Sequence, residues 1–533
     1  MKPKALAKKI LSGLPFTVEL DWFLRQRRQR GLKSRFNLSL LDDHLKEIVA
    51  EALPFTEGAP QGKKIFLFAS WHYWIVHTTL CGLVLRGMSH DVSLGYLPYG
   101  DYNRTVSRFD LRLQDLYARD VLKKAAPLLR IVPFLDIEPA DQIPEALVTA
   151  VEQVTLFDAQ YTLQREDVNG NEPIYLLRRE RNLDAALRAY TYFQKNRPDI
   201  VIVPNGMIQE YGIIYATARL LDIPVVTYEF GEQDRRIWLE QNKLVMFHET
   251  DQAWEKCRDR VLDHEQRAWL ESFLKARQGF ELGEAFAHLW QKVSRFGSES
   301  IRSILELDDR PVVLFPTNVL GDSATLGRTV FSQSMAEWIE RLVPYLAAHS
   351  EVQWVIRIHP SETWTVGPSV AEIICKAMPE IPAHVHMIVP AEKVNTYDLM
   401  DIADLALVYT TTAGLEIALR GIPVLVSGRA AYRNKGFTLD ADTWEEYFGL
   451  LDTVLADLPG HRLTHQQVEA AWNYAYFFFR EFPHPFPWHV EKIRKDLRRT
   501  SMAYVLSQAG QAEFGQTFRL LAGAPLDQVE RPL

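Results

Sequence analysis

Residues 404–427 read Asp-Leu-Ala-Leu-Val-Tyr-Thr-Thr-Thr-Ala-Gly-Leu-Glu-Ile-Ala-Leu-Arg-Gly-Ile-Pro-Val-Leu-Val-Ser. Leu405 to Tyr409 is a continuous apolar run, the pattern of a strand buried on both faces in a parallel sheet. Thr410, Thr411 and Thr412 follow at its carboxyl end and open a helix with Ala413 and Gly414. Their hydroxyls can cap free backbone amides and leave others pointing at an anion. Gly414 would let a ligand approach the backbone closely. Glu416, one turn later, would reach a ribose diol if a phosphate sat at the helix start. Gly421 is expected to end the helix and Pro423 to start the next buried strand. The same letters suit an ordinary βαβ unit whose threonines merely cap a helix, so the neighbouring strand ends decide between the two readings.

Two such ends lie upstream. Val352 to Ile358 is largely apolar and closes on Arg357-Ile358-His359-Pro360. Proline forbids continuation of a central strand, so Arg357 and His359 should project from the carboxyl edge of the same sheet, where both can meet a phosphate. Pro311 to Pro316 runs into Thr317-Asn318-Val319-Leu320-Gly321-Asp322-Ser323, a loop expected to lead to a helix beginning near Phe331. Taken singly, the histidine can bond a neighbouring loop, and Asn318 and Asp322 can be turn formers. Three polar strand ends together imply one shared cleft.

These motifs, with Gly421-Ile422-Pro423-Val424 and the stretch Ser427-Gly428-Arg429-Ala430-Ala431-Tyr432-Arg433-Asn434-Lys435-Gly436-Phe437-Thr438, resemble those of the capsule polysaccharide biosynthesis proteins. That family includes glycosyltransferases that move Kdo from CMP-Kdo. The resemblance covers roughly residues 310–440 well and the N-terminal half in outline. It implies an α/β protein of the GT-B fold, two Rossmann-like parallel-sheet domains facing a cleft, with the donor nucleotide held mainly by the C-terminal domain. It also implies that His359 and the Thr411/Thr412 turn bind the nucleotide phosphate and that Glu416 binds the ribose. The chain departs from the family's pattern in having threonines where a serine-rich turn is usual, and in Glu229-Phe230-Gly231, which matches an acidic-acidic-Gly motif poorly.

Length and composition agree. A chain of 533 residues exceeds one ordinary core. Apolar residues at 47% and charged residues at 24% describe a globular protein, and a net charge of −8 gives no support to nucleic-acid binding. The expected organisation is a basic helical segment over 1–60, an N-terminal Rossmann-like acceptor domain over 61–300 with a helical insertion at about 103–195, a donor domain over 301–460, and C-terminal helices over 461–533 that cross back to the N-terminal domain. Residues 1–35 hold ten Lys/Arg against Glu19 and Asp21, a net of +8 that leaves the remainder at −16. With Leu11, Leu14, Phe16, Leu20, Trp22, Phe23 and Leu24 interspersed, this segment can lie on an anionic membrane surface; it can equally be a solvated arm or a packed helix. Pro15 and Glu19 interrupt any signal-peptide core, and no apolar run is long enough to span a bilayer. Cys81, Cys257 and Cys375 are odd in number and far apart, which fits a reducing cytoplasm, at the inner face of the cell membrane if the basic segment docks there.

Sugar transfer also needs a base to activate the acceptor hydroxyl, and it should come from a strand end of the N-terminal domain. Glu229 is favoured among Glu229, Glu232, Asp234, His72 and Asp101, any of which can instead be a surface acid or a packed ring. Trp71, Tyr73, Trp74, Tyr96, Tyr99 and Tyr102 can line a sugar face or simply fill the core. His72 and His77 are five apart, and the sequence has neither a His-Glu-x-x-His helix nor a Cys/His cluster, so no metal site is indicated. A phosphate-binding Gly-Lys-Ser/Thr loop and a Gly-x-Ser-x-Gly elbow are both missing. The expectation is a metal-independent glycosyltransferase with no cofactor, its partners a nucleotide-sugar donor and a glycan or lipid-linked acceptor. A CDP-polyol phosphotransferase of the teichoic-acid type, or a non-catalytic nucleotide- or glycan-binding member, remains the alternative.

Overall fold

The computed structural model describes residues 14–526, apart from 15, 29–31, 33, 57, 59, 232, 280–292 and 366. Most of the basic N-terminal stretch and the candidate Glu232 therefore lie outside the described residues. Strands β1 (Lys64–Ser70), β2 (Asp91–Leu97), β3 (Arg130–Pro133), β4 (Ile200–Pro204), β5 (Val225–Phe230) and β6 (Arg236–Gln241) belong to the first sheet. Strands β7 (Val312–Pro316), β8 (Gln353–Arg357), β9 (Val385–Ile388), β10 (Leu405–Val408), β11 (Val424–Val426) and β12 (Leu439–Asp440) build the second, in the order β12-β11-β10-β7-β8-β9. The short β13 (His484–Pro485) returns to the first sheet, whose order is β13-β6-β5-β4-β1-β2-β3. All pairings in the second sheet are parallel. The protein has two Rossmann-like domains facing a cleft, the GT-B arrangement.

Each sheet is apolar on both faces, which is why its strands read as unbroken hydrophobic runs. Ile65, Leu67, Ile200 and Ile202 face one core, while Phe66, Phe68, Val201 and Val203 face the opposite one. In the second sheet Val312, Leu314, Ala406 and Val408 are separated in the same way from Val313, Phe315, Leu405 and Leu407. Period-two alternation thus sorts four buried layers from sequences that look uniformly apolar.

Three features differ from the sequence expectations. The segment expected to be a helical insertion contributes the edge strand β3, parallel to β2; its one exposed and three half-buried residues are too weak a pattern to stand out. Strand β6 runs antiparallel to β5, as a hairpin return at the sheet edge. The helix after β7 begins at Met335, capped by Ser334, because Thr317–Gln333 is spent on a long loop. The C-terminal chain leaves the second domain through the helix His465–Tyr476 and a widened π turn, Phe477–Glu481. Arg236 of β6 fastens that exit by donating to the carbonyls of Arg480 (2.9 Å) and Pro483 (2.7 Å). Phe486, Trp488, Phe514 and Phe518 then enter the core of the first domain.

The domains also meet through the turn 163–166, which follows the helix Glu145–Leu163. Glu166 accepts from the backbone amides of Met335 (3.0 Å) and Ala336 (2.7 Å), so a carboxylate of the first domain caps a helix of the second. No helix among the described residues is long and apolar enough to cross a membrane.

Candidate functional site

The carboxyl edges of the two sheets open into one cleft of about 1310 Å³. Its second-domain wall includes Asn318, Asp322, Arg357, His359, Thr411, Thr412 and Glu416, so three separate strand ends do converge. Many of their polar atoms hold the wall itself together. Asn318 Oδ1 accepts from the Thr410 amide at 3.2 Å, joining the loops after β7 and β10. Thr410 Oγ1 donates to the Ala324 carbonyl at 2.9 Å. Thr411 Oγ1 accepts from the Ala413 amide at 3.3 Å, and its carbonyl takes the Tyr432 hydroxyl at 2.6 Å. Thr412 lines the cleft and makes no side-chain cap to the short helix Ala413–Ala418. Gly421, at φ 74°, ends the turn after that helix in the left-handed region that favours glycine.

Gly414 has a different role from the one expected. A Cβ there would lie 2.2 Å from the Tyr432 hydroxyl oxygen, and Gly414 does not line the cleft. The missing side chain makes room for Tyr432, which in turn grips the threonine turn. Glu416 is also more constrained than expected: it is 2% exposed, and Oε1 accepts from Arg277 Nη2 at 2.9 Å. Its other oxygen, Oε2, is buried, and the Tyr397 hydroxyl lies against the carboxylate.

The cationic part of this wall is concentrated in two buried guanidiniums. Arg357 and Arg328 are each 3% exposed, and burial lowers both to about 10, still fully charged at neutral pH. Arg357 donates to the Val389 carbonyl at 2.9 Å; Arg328 donates to the Met246 carbonyl and lies 3.4 Å from His248 Nδ1 across the cleft. Among the described residues neither is ion-paired with a carboxylate, and the Nε of each is buried without a hydrogen-bond partner. Buried charge in this state is costly unless something neutralises it. His359 adds a positioned ring. Its Nδ1 lies 3.2 Å from the Ser361 amide and 2.5 Å from the Ser361 hydroxyl, which fixes the ring at the cleft wall.

The opposite wall carries Glu229, Tyr102, Tyr161, Trp238 and His248 from the first domain, with His489 and Lys492 from the returning C-terminal chain. Glu229 stands at the end of β5. It accepts from its neighbour's amide, Phe230, at 3.0 Å and from Asn205 Nδ2 at 3.3 Å. Burial outweighs these bonds and pushes its carboxyl up to about 7. His248 is held neutral by burial and by Arg328, well below the usual histidine range. Behind this wall, buried Arg178 bridges Asp158 and Glu210 (2.9 Å to the latter), and Arg181 donates to the carbonyls of Asp101 (2.8 Å) and Arg104 (2.6 Å), fixing the loop that presents Tyr102.

Three candidate bases, His72, Asp234 and Asp101, are not part of the cleft lining. His72 begins the helix His72–Gly87 and packs its ring 3.9 Å from Tyr73 and edge-on to Phe36; burial lowers it to about 4. Asp234 sits in the turn between β5 and β6 and faces Lys492 at 3.7 Å. Asp101 faces Arg35 and Arg104. Of the aromatic group, only Tyr102 reaches the cleft; Trp74 packs on Tyr228 and Phe230, and Tyr96 bonds Asp115 at 2.9 Å. Arg277, Arg328, His248 and Lys492 escaped the sequence reading because no local motif surrounds them. Among the described residues no group of three or more His, Cys, Asp or Glu side chains is placed to hold a metal ion.

Residues 272–448 match the model of a family described as capsule polysaccharide biosynthesis protein. The resemblance to that family holds over this segment. It takes in Arg277, Arg328, Arg357, His359, the threonine turn and Glu416, the whole cationic wall. A comparison with curated proteins finds no match. Among solved structures, two KpsC proteins of Thermosulfurimonas dismutans are similar. One, a beta Kdo 2,4 transferase, is 15% identical over 51% of this chain and 78% of its own, with a TM-score of 0.33. The other, a beta Kdo 2,7 transferase, is 13% identical over 58% and 88%, also at 0.33. A UDP-GlcNAc 2-epimerase from Neisseria meningitidis is 12% identical over 79% and 99%, at 0.27.

Proposed function

We propose that this chain is a glycosyltransferase of capsule or surface polysaccharide synthesis, moving a sugar from a nucleotide-activated donor to a glycan or lipid-linked acceptor. The observation that carries the reading is a division of charge: two buried guanidiniums with no carboxylate ion pair among the described residues on one wall of the cleft, and a carboxyl group pushed up to about 7 on the other. The donor's phosphate would neutralise Arg328 and Arg357, and the His359 ring would donate to it. As the bond from phosphate oxygen to anomeric carbon breaks, those fixed donors stabilise the charge growing on the leaving nucleotide. Glu229, ionised in about half the molecules near pH 7, would take the proton of the acceptor hydroxyl as that oxygen attacks. Glu416 Oε2 suits a ribose hydroxyl. The cations are the protein's own, so transfer is expected to continue in excess EDTA. The donor we favour is CMP-Kdo, from the likeness to capsule proteins. A cytoplasmic location is supported by the three cysteines, none of which forms a disulfide among the described residues.

Thermal shift with CMP, CDP, UDP and GDP tests the donor side. CMP should stabilise wild type and have a weaker effect on His359→Ala. Stabilisation by UDP alone would remove CMP-Kdo, and no response to any nucleotide would remove the transferase reading. Product analysis showing phosphate transferred with the acceptor group would assign a polyol phosphotransferase instead.

A further inference from the structure

The helix Thr17–Arg27 has two different faces. Its inner face is spent on the first domain: Val18 is buried with Phe109 and Leu113, and the Trp22 ring packs at a tilt on Tyr117 (5.7 Å) while donating to Asp120 at 2.5 Å. Glu19 pairs with Arg112 and Gln26 with Asp120, on the helix Arg108–Leu122. The outer face carries Phe16, Leu20, Phe23 and Leu24, exposed by 76%, 58%, 48% and 41%. Those positions are spaced by four, three and one, a single helical stripe extended by Arg27, whose guanidinium lies 4.6 Å over the Phe23 ring. Large apolar side chains in a row facing outward are unusual for a face with no function.

We infer that this stripe seats the protein on an anionic lipid surface. The stripe ends in Arg27 and Arg28 and belongs to a segment of net charge +8, whereas the remaining chain is −16. A negative surface therefore attracts the N-terminal segment more than the rest of the chain, which favours an orientation as well as an affinity. Apolar rings enter the headgroup boundary while the arginines stay at phosphate level. The inner-face contacts to the helix Arg108–Leu122 hold the stripe on a rigid element of the first domain, the domain that carries Glu229.

Full-length protein is mixed with phosphatidylcholine vesicles containing none or about 30% phosphatidylserine, and partitioning is read by co-sedimentation. Wild type should bind the anionic vesicles and be released by salt. Leu20→Glu with Phe23→Glu should lose at least about tenfold in partitioning. Arg27→Gln with Arg28→Gln keeps the stripe and should lose about fivefold per charge on anionic vesicles only. Leu53→Glu, at another exposed apolar position, should bind as wild type. Melting curves unchanged from wild type show that the variants fold, as substitution of exposed side chains allows. Equal binding to neutral vesicles, or full binding by the Leu20/Phe23 variant, overturns the inference. So does a wild-type dimer that this variant converts to monomer without altering vesicle binding, which would give the stripe to a second copy of the chain. No arm reads nucleotide binding or sugar transfer, so a failure here leaves the reading of the cleft standing.

Discussion

The two walls of the cleft are built by opposite means. The second-domain wall is cation-rich and heavily cross-braced: Asn318 ties two loops, Tyr432 grips Thr411, and Arg277 holds Glu416. The first-domain wall presents Glu229, whose bonds to Phe230 and Asn205 do not offset its burial. On the reading proposed above, one wall would receive the charge that is always present on a phosphate. The other is arranged to gain and lose a proton, which requires that it not be paired with a cation.

The sharpest way to break this contrast is Glu229→Gln. Loss of the base should lower kcat by about 10²–10⁴-fold while leaving nucleotide affinity within about twofold of wild type. A matching fall in nucleotide affinity would move Glu229 to the donor side. Next in size is Glu416→Ala, which leaves Arg277 buried without its carboxylate. It should cost about 3–5 kcal/mol of stability by chemical denaturation, and Glu416→Gln much less. Equal stability of the alanine variant and wild type would show that the pair is structurally idle.

The third prediction separates the walls by pH. Glu229 holds its proton up to about 7 in the folded chain, against an ordinary value of 4.5. The folded protein therefore binds more protons than the unfolded chain between those values, and this residue makes stability fall as pH rises through that window. Glu229→Gln should gain about 3 kcal/mol over wild type near pH 8 and nothing near pH 4. Wild-type kcat/KM should fall about tenfold per pH unit below 7 as the base is protonated. A flat profile would exclude Glu229 as the titrating base. Smallest is His359→Ala, expected to weaken CMP binding about tenfold by calorimetry with the melting temperature of the free protein little changed.

What the sequence made legible follows from how far each signal reaches. Leu405–Val408 and Val312–Pro316 are strands because buried parallel strands are apolar throughout, and the polar residues after them mark the sheet edge. That logic located Asn318, Asp322, Arg357, His359 and the threonines at one cleft. It failed for Gly414, whose neighbour Tyr432 is eighteen positions away and whose open space is filled by the protein. It failed as well for Arg328 and Arg277: each looks like any surface arginine in the sequence, and its meaning arises only from burial supplied by distant segments. His72 and Asp234 share the local sequence character of Glu229, but a ring against Tyr73 and a turn facing Lys492 take them out of the lining.

The capping of Met335 and Ala336 by Glu166 makes the width of the cleft a chemical quantity. Any separation of the domains at that side must give up two backbone hydrogen bonds to a carboxylate and expose two amides at the start of a helix. Backbone atoms of residues 160–165 also fill the space that side chains at Gly321 and Gly367 would occupy, so the two domains are in close contact there. If the cleft takes a nucleotide as proposed above, any entry that needs a wider cleft at this side must first break the contact at Glu166.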